Sequence, residues 1–163
     1  MVYSKHTPID LSQPFQVSRA LKAIHVHHSA GNELDTPAAV ERYAMAREGK
    51  HFGQDPYNIH IWRGPDSPIP GENTWMISWG RNPETMPASA EGDNKGALAI
   101  CVHGNWAQSP LPLWGLESLV KVIRWVWQGA GELPVYGHRE LPGEETLCPG
   151  FDMNLVRRML SNV

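Results

Sequence analysis

The most continuous apolar run in the chain, residues 97–102 (Ala-Leu-Ala-Ile-Cys-Val), constrains the fold more than any other segment. The run has the length of a strand, and unbroken apolar residues are typical of a strand that is covered on both faces. It is therefore predicted to be the buried central strand of a sheet.

Four other segments have the pattern of strands. Residues 20–29 alternate apolar side chains with histidines, which places His25 and His27 on one face and His28 on the other. Further strands are predicted over 57–63, 75–79 and 135–137, and the first two of these pair across a Pro/Gly-rich connection. Residues 80–95 are predicted to be a long polar loop, which in a compact domain is more often functional than idle.

Three helices are predicted between the strands. The first has Asp35 or Thr36 as its N-cap, Pro37 in its first turn and its end at Gly49. One side of it carries Val40, Tyr43, Ala44 and Arg47. The second spans 116–128 and stops at Gly129, and the third spans 151–160 and is begun by Asp152. Strands interleaved with helices predict an α/β or α+β fold: a single domain with a central mixed β-sheet flanked by helices.

Composition excludes several classes of protein. The chain of 163 residues suits one domain. Its formal charge of −3 does not indicate a basic surface that would bind nucleic acid or an anionic membrane. Two cysteines are too few for a disulfide framework. The start lacks the apolar core of a signal peptide, so we expect a soluble monomer that is synthesised in the cytoplasm without a signal peptide, with no nucleic-acid or membrane partner.

Two histidines and a cysteine suggest a metal site. His138 and Cys148 lie ten residues apart near the end of the chain, and His27 lies on the first predicted strand. Two imidazoles, one thiolate and an open fourth position for water are what a catalytic zinc ion needs. His60 and His103 are expected to be hydrogen-bonded structural histidines, because three protein ligands already suffice for the zinc ion.

The order of five motifs carries a resemblance to a known family. The motifs are His-His-Ser-Ala at 27–30, Tyr-Asn-Ile-His at 57–60, Asn94 with the segment 97–105, Gly-His-Arg-Glu at 137–140 and Thr-Leu-Cys-Pro-Gly at 146–150. Together they resemble the zinc N-acetylmuramoyl-L-alanine amidases of the type-two class, which include phage lysozyme-type amidases and animal peptidoglycan recognition proteins. The resemblance covers about residues 22–160 of one domain (1–163), with 1–21 as an N-terminal extension.

The resemblance implies a role for each matching residue. His27, His138 and Cys148 would bind one Zn²⁺, and the bound water would cleave the amide between N-acetylmuramic acid and L-alanine. Tyr57 matches the family's active-site tyrosine, and Thr146 matches a position that is lysine or threonine. The neighbouring positions His28, Arg139 and Glu140 would support the ligands. Asn94 and Trp79 are predicted to contact the substrate, Trp79 because an exposed indole stacks on sugar rings.

Two features depart from the family pattern. The spacing between His138 and Cys148 is about two residues longer than usual, so residues 141–145 must bulge. Thr146 also replaces a cation that would stabilise an oxyanion. Glu144 or Glu145 in the longer segment is a candidate general base, although adjacent glutamates in a loop are usually just solvated.

Several functions remain open from the sequence. The leading one is a peptidoglycan amidase, most simply a phage or prophage endolysin that acts on the cell wall after release at host lysis. A recycling amidase for soluble muropeptides would look similar. A non-catalytic muropeptide-binding module of the same fold is a second class, and the retained Cys148 argues against it. A thiol hydrolase with Cys148 as nucleophile and His138 as base is a third.

Overall fold

One five-stranded sheet forms the centre of the computed structural model, which describes residues 3–46, 54–64 and 75–162. The strands are β1 (Ala23–His28), β2 (Ile59–Arg63), β3 (Trp75–Trp79), β4 (Ala97–Val102) and β5 (Val135–Gly137), in the spatial order β3-β2-β4-β1-β5. β4 is parallel to both β1 and β2, β1 is parallel to β5, and β2 pairs antiparallel with β3. The predicted central strand and the mixed sheet are thus confirmed.

Three helices and one short 3₁₀ turn cover the sheet. They are α1 (Pro37–Ala46), α2 (Leu113–Ala130), α3 (Met153–Ser161) and the 3₁₀ turn His138–Glu140. Thr36 caps α1 by accepting a hydrogen bond from the Ala39 backbone N–H, and Asp152 caps α3 through the Asn154 N–H. The predicted end of α1 at Gly49 lies outside the described residues. Of the residues predicted on one side of α1, Val40 and Ala44 are buried, whereas Tyr43 is 67% exposed.

The α2 helix is longer than predicted because Gly129 does not end it. A Cβ atom on Gly129 would lie 1.9 Å from the backbone oxygen of Phe15, so glycine is required there for the close approach of the N-terminal segment. The helix instead ends at Gly131, whose φ of 83° lies in the left-handed region. The prediction interpreted Gly129 as the end of the helix, whereas this glycine allows close packing against Phe15.

The two faces of the sheet differ in chemistry. On one face, the aliphatic residues of β1, β2 and β4 join the main apolar core with α2 and α3. On the other face, the strand register places His27 of β1, Cys101 of β4 and His60 of β2 in one row. All three are buried. The domain therefore has one ordinary hydrophobic core and one buried polar layer.

The N-terminal segment packs along the β3 edge of the sheet. Pro8 forms a bridge with Ser78, the Tyr3 hydroxyl donates a hydrogen bond to the Gly80 carbonyl, and Phe15 lies in the core. Within the described part of the chain, none of the helices combines the length and the apolar character needed to cross a membrane.

Candidate metal centre

The three predicted ligands converge from three separate elements. His27 lies near the carboxyl end of β1, His138 directly follows β5, and Cys148 lies in the loop that precedes α3. Because β1 and β5 are parallel neighbours, their carboxyl ends lie at the same edge of the sheet. One potential ligand atom from each of the three residues lies within 4.8 Å of the others.

The donor set fits a metal ion. His27 Nδ1 lies 3.8 Å from Cys148 Sγ, and the rings of His27 and His138 are 4.7 Å apart. His27 Nε2 is buried and has no hydrogen-bond partner among the described residues. A buried imidazole nitrogen without a partner is costly unless a cation occupies the site. Two nitrogens and one sulfur are ligands that zinc accepts.

Burial sets the protonation of these groups in the chain without a cation. Burial, followed by the neighbouring His138, lowers the pKa of His27 well below its usual range. Burial raises the pKa of Cys148 to about 12, although the His28 backbone N–H, 3.3 Å from Sγ, opposes this rise. His27 is therefore neutral and ready to bind, whereas Cys148 keeps its proton until a cation displaces it.

The segment from His138 to Cys148 is held by its own hydrogen bonds. The Arg139 backbone N–H donates to the Cys148 carbonyl, and its guanidinium donates to the Phe151 carbonyl. Glu140 accepts from the Gly137 N–H and pairs with Arg157. The extra residues of this segment thus form a closed loop that leaves Cys148 beside His27.

Two candidate catalytic side chains of this segment lie beside the ligands. Thr146 Oγ1 accepts a hydrogen bond from the Cys148 backbone N–H. Glu144 Oε2 lies 3.1 Å from His138 Nε2, close enough for an ion pair but not aligned as a hydrogen bond. Glu145 is exposed. The longer spacing therefore adds one carboxylate next to a candidate ligand.

Tyr57 lies over the row of buried polar residues. Its ring is 5.3 Å from the ring of His27, and its hydroxyl hydrogen-bonds the side chain of Cys101. Burial, followed by the charge of Cys148, raises the pKa of Cys101 well above its ordinary value, so that thiol is protonated. Tyr57 therefore lies beside the candidate ligand His27, with its hydroxyl oriented by Cys101.

A cavity of about 210 Å³ opens next to the ligands. His28 is among its lining residues, and its ring Nδ1 accepts a hydrogen bond from the Trp106 backbone N–H, so this imidazole points away from the ligand cluster toward a structural partner. The cavity is lined by His28, Ser29, Ala30, Val40, Tyr43, Ala44, Pro56, Tyr57, Ala88, Ser89, His138, Thr146 and Cys148. Its walls come from α1, from the segment before β2 and from the loop 80–95.

The prediction that Trp79 contacts the substrate is wrong. Its side chain is only 2% exposed and packs in the core against Trp125 and Tyr3. An indole on an inner strand position gains more from burial than from exposure. Asn94 does not line the cavity either; its carbonyl oxygen accepts from the backbone N–H groups of Ser89 and Ala90, so it shapes the loop that does.

A chain of buried polar groups beneath Tyr57 includes one residue that the sequence analysis did not single out. His60 contacts Asp55 at 2.8 Å and His103 at 2.7 Å, which agrees with the expectation that both histidines are hydrogen-bonded. Asp55 itself was missed. The only signal was its position two residues before Tyr57, and aspartate before proline is ordinary in turns.

Comparison with known sequences identifies a family. A sequence profile described as N-acetylmuramoyl-L-alanine amidase (Amidase_2) matches residues 17–151, which is most of the chain. A comparison with curated proteins gives no match.

Solved structures share the fold at low identity. N-acetylmuramoyl-L-alanine amidase LysC from Clostridium intestinale URNW is 20% identical with a TM-score of 0.67, over 99% of this chain and 95% of that chain. The Ph2119 endolysin from Thermus scotoductus MAT2119 bacteriophage Ph2119 is 18% identical with a TM-score of 0.61, over 88% and 86%. A Drosophila PGRP-LB variant in complex with tracheal cytotoxin is 21% identical with a TM-score of 0.59, over 85% and 79%.

Proposed function

Because the chain belongs to the N-acetylmuramoyl-L-alanine amidase family, we propose that it cleaves the bond between N-acetylmuramic acid and L-alanine with one zinc ion held by His27, His138 and Cys148. The observation that carries the zinc assignment is the convergence of two imidazoles and a thiol at one buried point. A bound zinc ion would polarise the scissile carbonyl and lower the pKa of a water molecule to about 7.

The side chains around the ligands would orient the substrate. The cavity is lined by His138, Thr146 and Cys148 together with residues of α1 and the loop 80–95, so a stem peptide bound in it would lie beside the ligands. Tyr57 lines the cavity and its ring lies 5.3 Å from the ring of His27, so its hydroxyl is a candidate donor to the oxyanion. Thr146 has a second hydroxyl there, while Arg139 and Glu140 fix the loop that carries His138.

The protonation of Cys148 argues against a thiol hydrolase. A cysteine nucleophile needs a lowered pKa, whereas burial raises the pKa of this thiol to about 12. A binding-only module is disfavoured because all three candidate ligands are retained and placed together.

The biological setting of this activity is the bacterial cell wall. The fold is shared with an endolysin of a bacteriophage and with a protein solved with tracheal cytotoxin, which supports a peptidoglycan or muropeptide substrate. We infer a monomeric endolysin that acts at the wall, with a catalytic domain over about residues 22–160 and residues 1–21 as an N-terminal extension. In the alternative function, a recycling amidase, the substrate would be soluble muropeptides.

Mass spectrometry of digested peptidoglycan tests the reaction directly. Amide cleavage releases stem peptides with a free L-alanine amino terminus and leaves the glycan without new reducing ends. New reducing ends would instead identify a glycosidase, and cleavage within the stem peptide would identify an endopeptidase.

Metal analysis tests the ligand assignment separately. The purified protein is expected to contain one zinc ion per chain, and a strong chelator is expected to abolish activity that added zinc restores. His27→Ala, His138→Ala and Cys148→Ala should each lower zinc content and activity together, whereas His28→Ala should retain the metal. If the protein keeps full activity after complete removal of metal and loses it when its thiols are alkylated, the thiol hydrolase would be supported instead.

A further inference from the structure

Four groups form a continuous hydrogen-bonded chain beneath Tyr57. The Asp35 backbone carbonyl lies 2.6 Å from His103 Nδ1, His103 Nε2 lies 2.7 Å from His60 Nδ1, and His60 Nε2 lies 2.8 Å from Asp55 Oδ2. The side chains of Asp55, His60 and His103 are all 0% exposed. This chain connects the segment before α1 to the segment before β2.

The Asp35 carbonyl at one end of the chain determines which ring nitrogens donate hydrogen bonds. A carbonyl oxygen only accepts, so His103 Nδ1 must donate to Asp35. Burial, followed by the charge of His60, lowers the pKa of His103 to about 3, so His103 is neutral and its Nε2 is an acceptor. His60 Nδ1 must therefore donate to it, and one further proton must lie between His60 Nε2 and Asp55.

Asp55 closes the other end of the chain. Burial alone would raise the pKa of Asp55, but the neighbouring His60 and the hydrogen bonds from His60 and the Tyr57 N–H lower it below its usual value. Every side-chain nitrogen and oxygen of Asp55, His60 and His103 thus lies within hydrogen-bond distance of a partner, which offsets the cost of their complete burial.

The short contact between the two imidazoles favours a proton over a second metal ion. Cys101 lies close enough to complete a potential His-His-Cys ligand set. Two nitrogens that bind one tetrahedral zinc ion at about 2.05 Å would be about 3.3 Å apart. The observed 2.7 Å is a hydrogen-bond distance.

The chain contacts Tyr57 in two ways. Asp55 Oδ1 accepts a hydrogen bond from the Tyr57 backbone N–H at 3.0 Å, and the Tyr57 ring meets the His60 ring edge-on at 5.8 Å. Charged groups outside the chain surround its acidic end: His6 Nε2 lies 3.5 Å from Asp55 Oδ2, and Arg81 donates to the Asp55 backbone carbonyl. Glu41 pairs with Lys5 and His6 beside it.

From this geometry we propose that Asp55, His60 and His103 are positioning residues: His60, hydrogen-bonded to Asp55 and anchored through His103, fixes the carboxylate that holds Tyr57 in place beside the candidate metal centre. The inference rests on the proposed function for the role of Tyr57, but the hydrogen-bonded chain itself stands apart from it. Because the hydroxyl of Tyr57 works only in one position, a loosened chain should reduce turnover more than substrate binding.

Nuclear magnetic resonance of ¹⁵N-labelled histidine in the zinc-loaded protein tests the hydrogen-bonded chain. His103, assigned with His103→Gln, is expected to carry one proton, on Nδ1, from pH 6 to pH 8.5. In Asp55→Asn the amide can donate to His60 Nε2, so the chain should stay connected and His103 should keep this proton. A proton on His103 Nε2 instead of Nδ1 in the wild type would overturn the proposal, as would a second metal ion per chain that His60→Gln removes.

A double-mutant cycle tests the action through Tyr57. Asp55→Ala is expected to lower kcat about 10- to 100-fold with KM within about twofold and zinc content unchanged. Asp55→Asn, which keeps the hydrogen bonds, should stay within about threefold of the wild type. When Tyr57→Phe is combined with Asp55→Ala, the loss should equal that of Tyr57→Phe alone. Multiplied losses would overturn the positioning role.

Controls separate this proposal from loss of fold and from the proposed function. Trp62→Phe changes a buried residue of β2 that hydrogen-bonds Ser78 outside the chain, and it should leave kcat unchanged. If Asp55→Ala does not fold, His60→Gln takes its place in the cycle. A wild type without amidase activity would refute the proposed function, whereas an active wild type with multiplied losses would refute only this inference.

Discussion

After the ligands, Tyr57 is the residue on which the proposed chemistry most depends. It hydrogen-bonds Cys101, and its ring lies 5.3 Å from that of His27. Tyr57→Phe is expected to keep one zinc ion and to lower kcat about 100- to 1,000-fold, because one oriented donor to the oxyanion is lost. Steady-state kinetics on a purified muropeptide with parallel zinc analysis measures both. Tyr136→Phe, on β5, should behave as the wild type.

Glu144 offers a second test at this scale, with a matched control beside it. Its carboxylate lies 3.1 Å from His138 Nε2, so its negative charge favours the imidazole as a ligand. Glu144→Ala is expected to weaken zinc binding about 10-fold in competition titrations with a chelator. Glu145→Ala removes a neighbouring exposed glutamate and should leave the affinity unchanged. Equal affinities for both variants would show that Glu144 is merely solvated.

The residues that could be predicted from sequence differ from those that could not in how their partners are arranged. His27, His138 and Cys148 lie in local motifs whose order is readable, and the structure brings them together. The role of Asp55 is visible only in the fold, where β2 and β4 bring His60 next to His103, which lies 43 residues later in the sequence. The prediction for Trp79 was wrong because aromatic residues occur both in cores and in binding sites. Only the pairing of β3 in the fold shows which of the two applies.

Secondary-structure elements were predicted best where periodicity was strong. The apolar run of β4 and the amphipathic pattern of α2 gave the correct element types, because burial on two faces or on one stripe leaves a direct trace in sequence. The C-terminal end of α2 was predicted wrongly because a glycine marks either a helix stop or a close contact. Gly129 has the second role, toward a segment more than a hundred residues earlier.

Gly129→Ala tests that packing role. Alanine favours helix over glycine by about 1 kcal/mol, so the change would stabilise an unconstrained helix. Here the new Cβ would lie 1.9 Å from the Phe15 carbonyl oxygen, and the free energy of unfolding is expected to fall by about 1 to 3 kcal/mol. Urea unfolding measures the change, with Gln128→Ala at the adjacent exposed position as the control. A gain in stability would show that the N-terminal segment moves away freely.

For the whole molecule, the buried polar layer couples the stability of the fold to pH. Histidines of this layer occupy positions that an ordinary core would give to aliphatic residues, and His60 and His103 hydrogen-bond each other there. Neutral buried histidines make a fold sensitive to acid, since the unfolded chain takes up protons that the folded chain does not bind. The buried histidines are therefore expected to limit the pH range over which the fold is stable.

Acid unfolding of the chelator-treated protein tests this coupling. The pKa of His103 is about 3 in the fold against an ordinary 6.5, and burial also lowers the pKa values of His25 and His28. Above pH 6.5 this contribution is fully present; as the pH falls from 6.5 toward 3, only the unfolded chain gains these protons and stability is lost. Between pH 7 and 4.5, His103 alone should cost about 2 to 3 kcal/mol in urea unfolding. His103→Gln should show a shallower decline, and a wild-type stability that is flat over this range would contradict the neutral, buried state of His103.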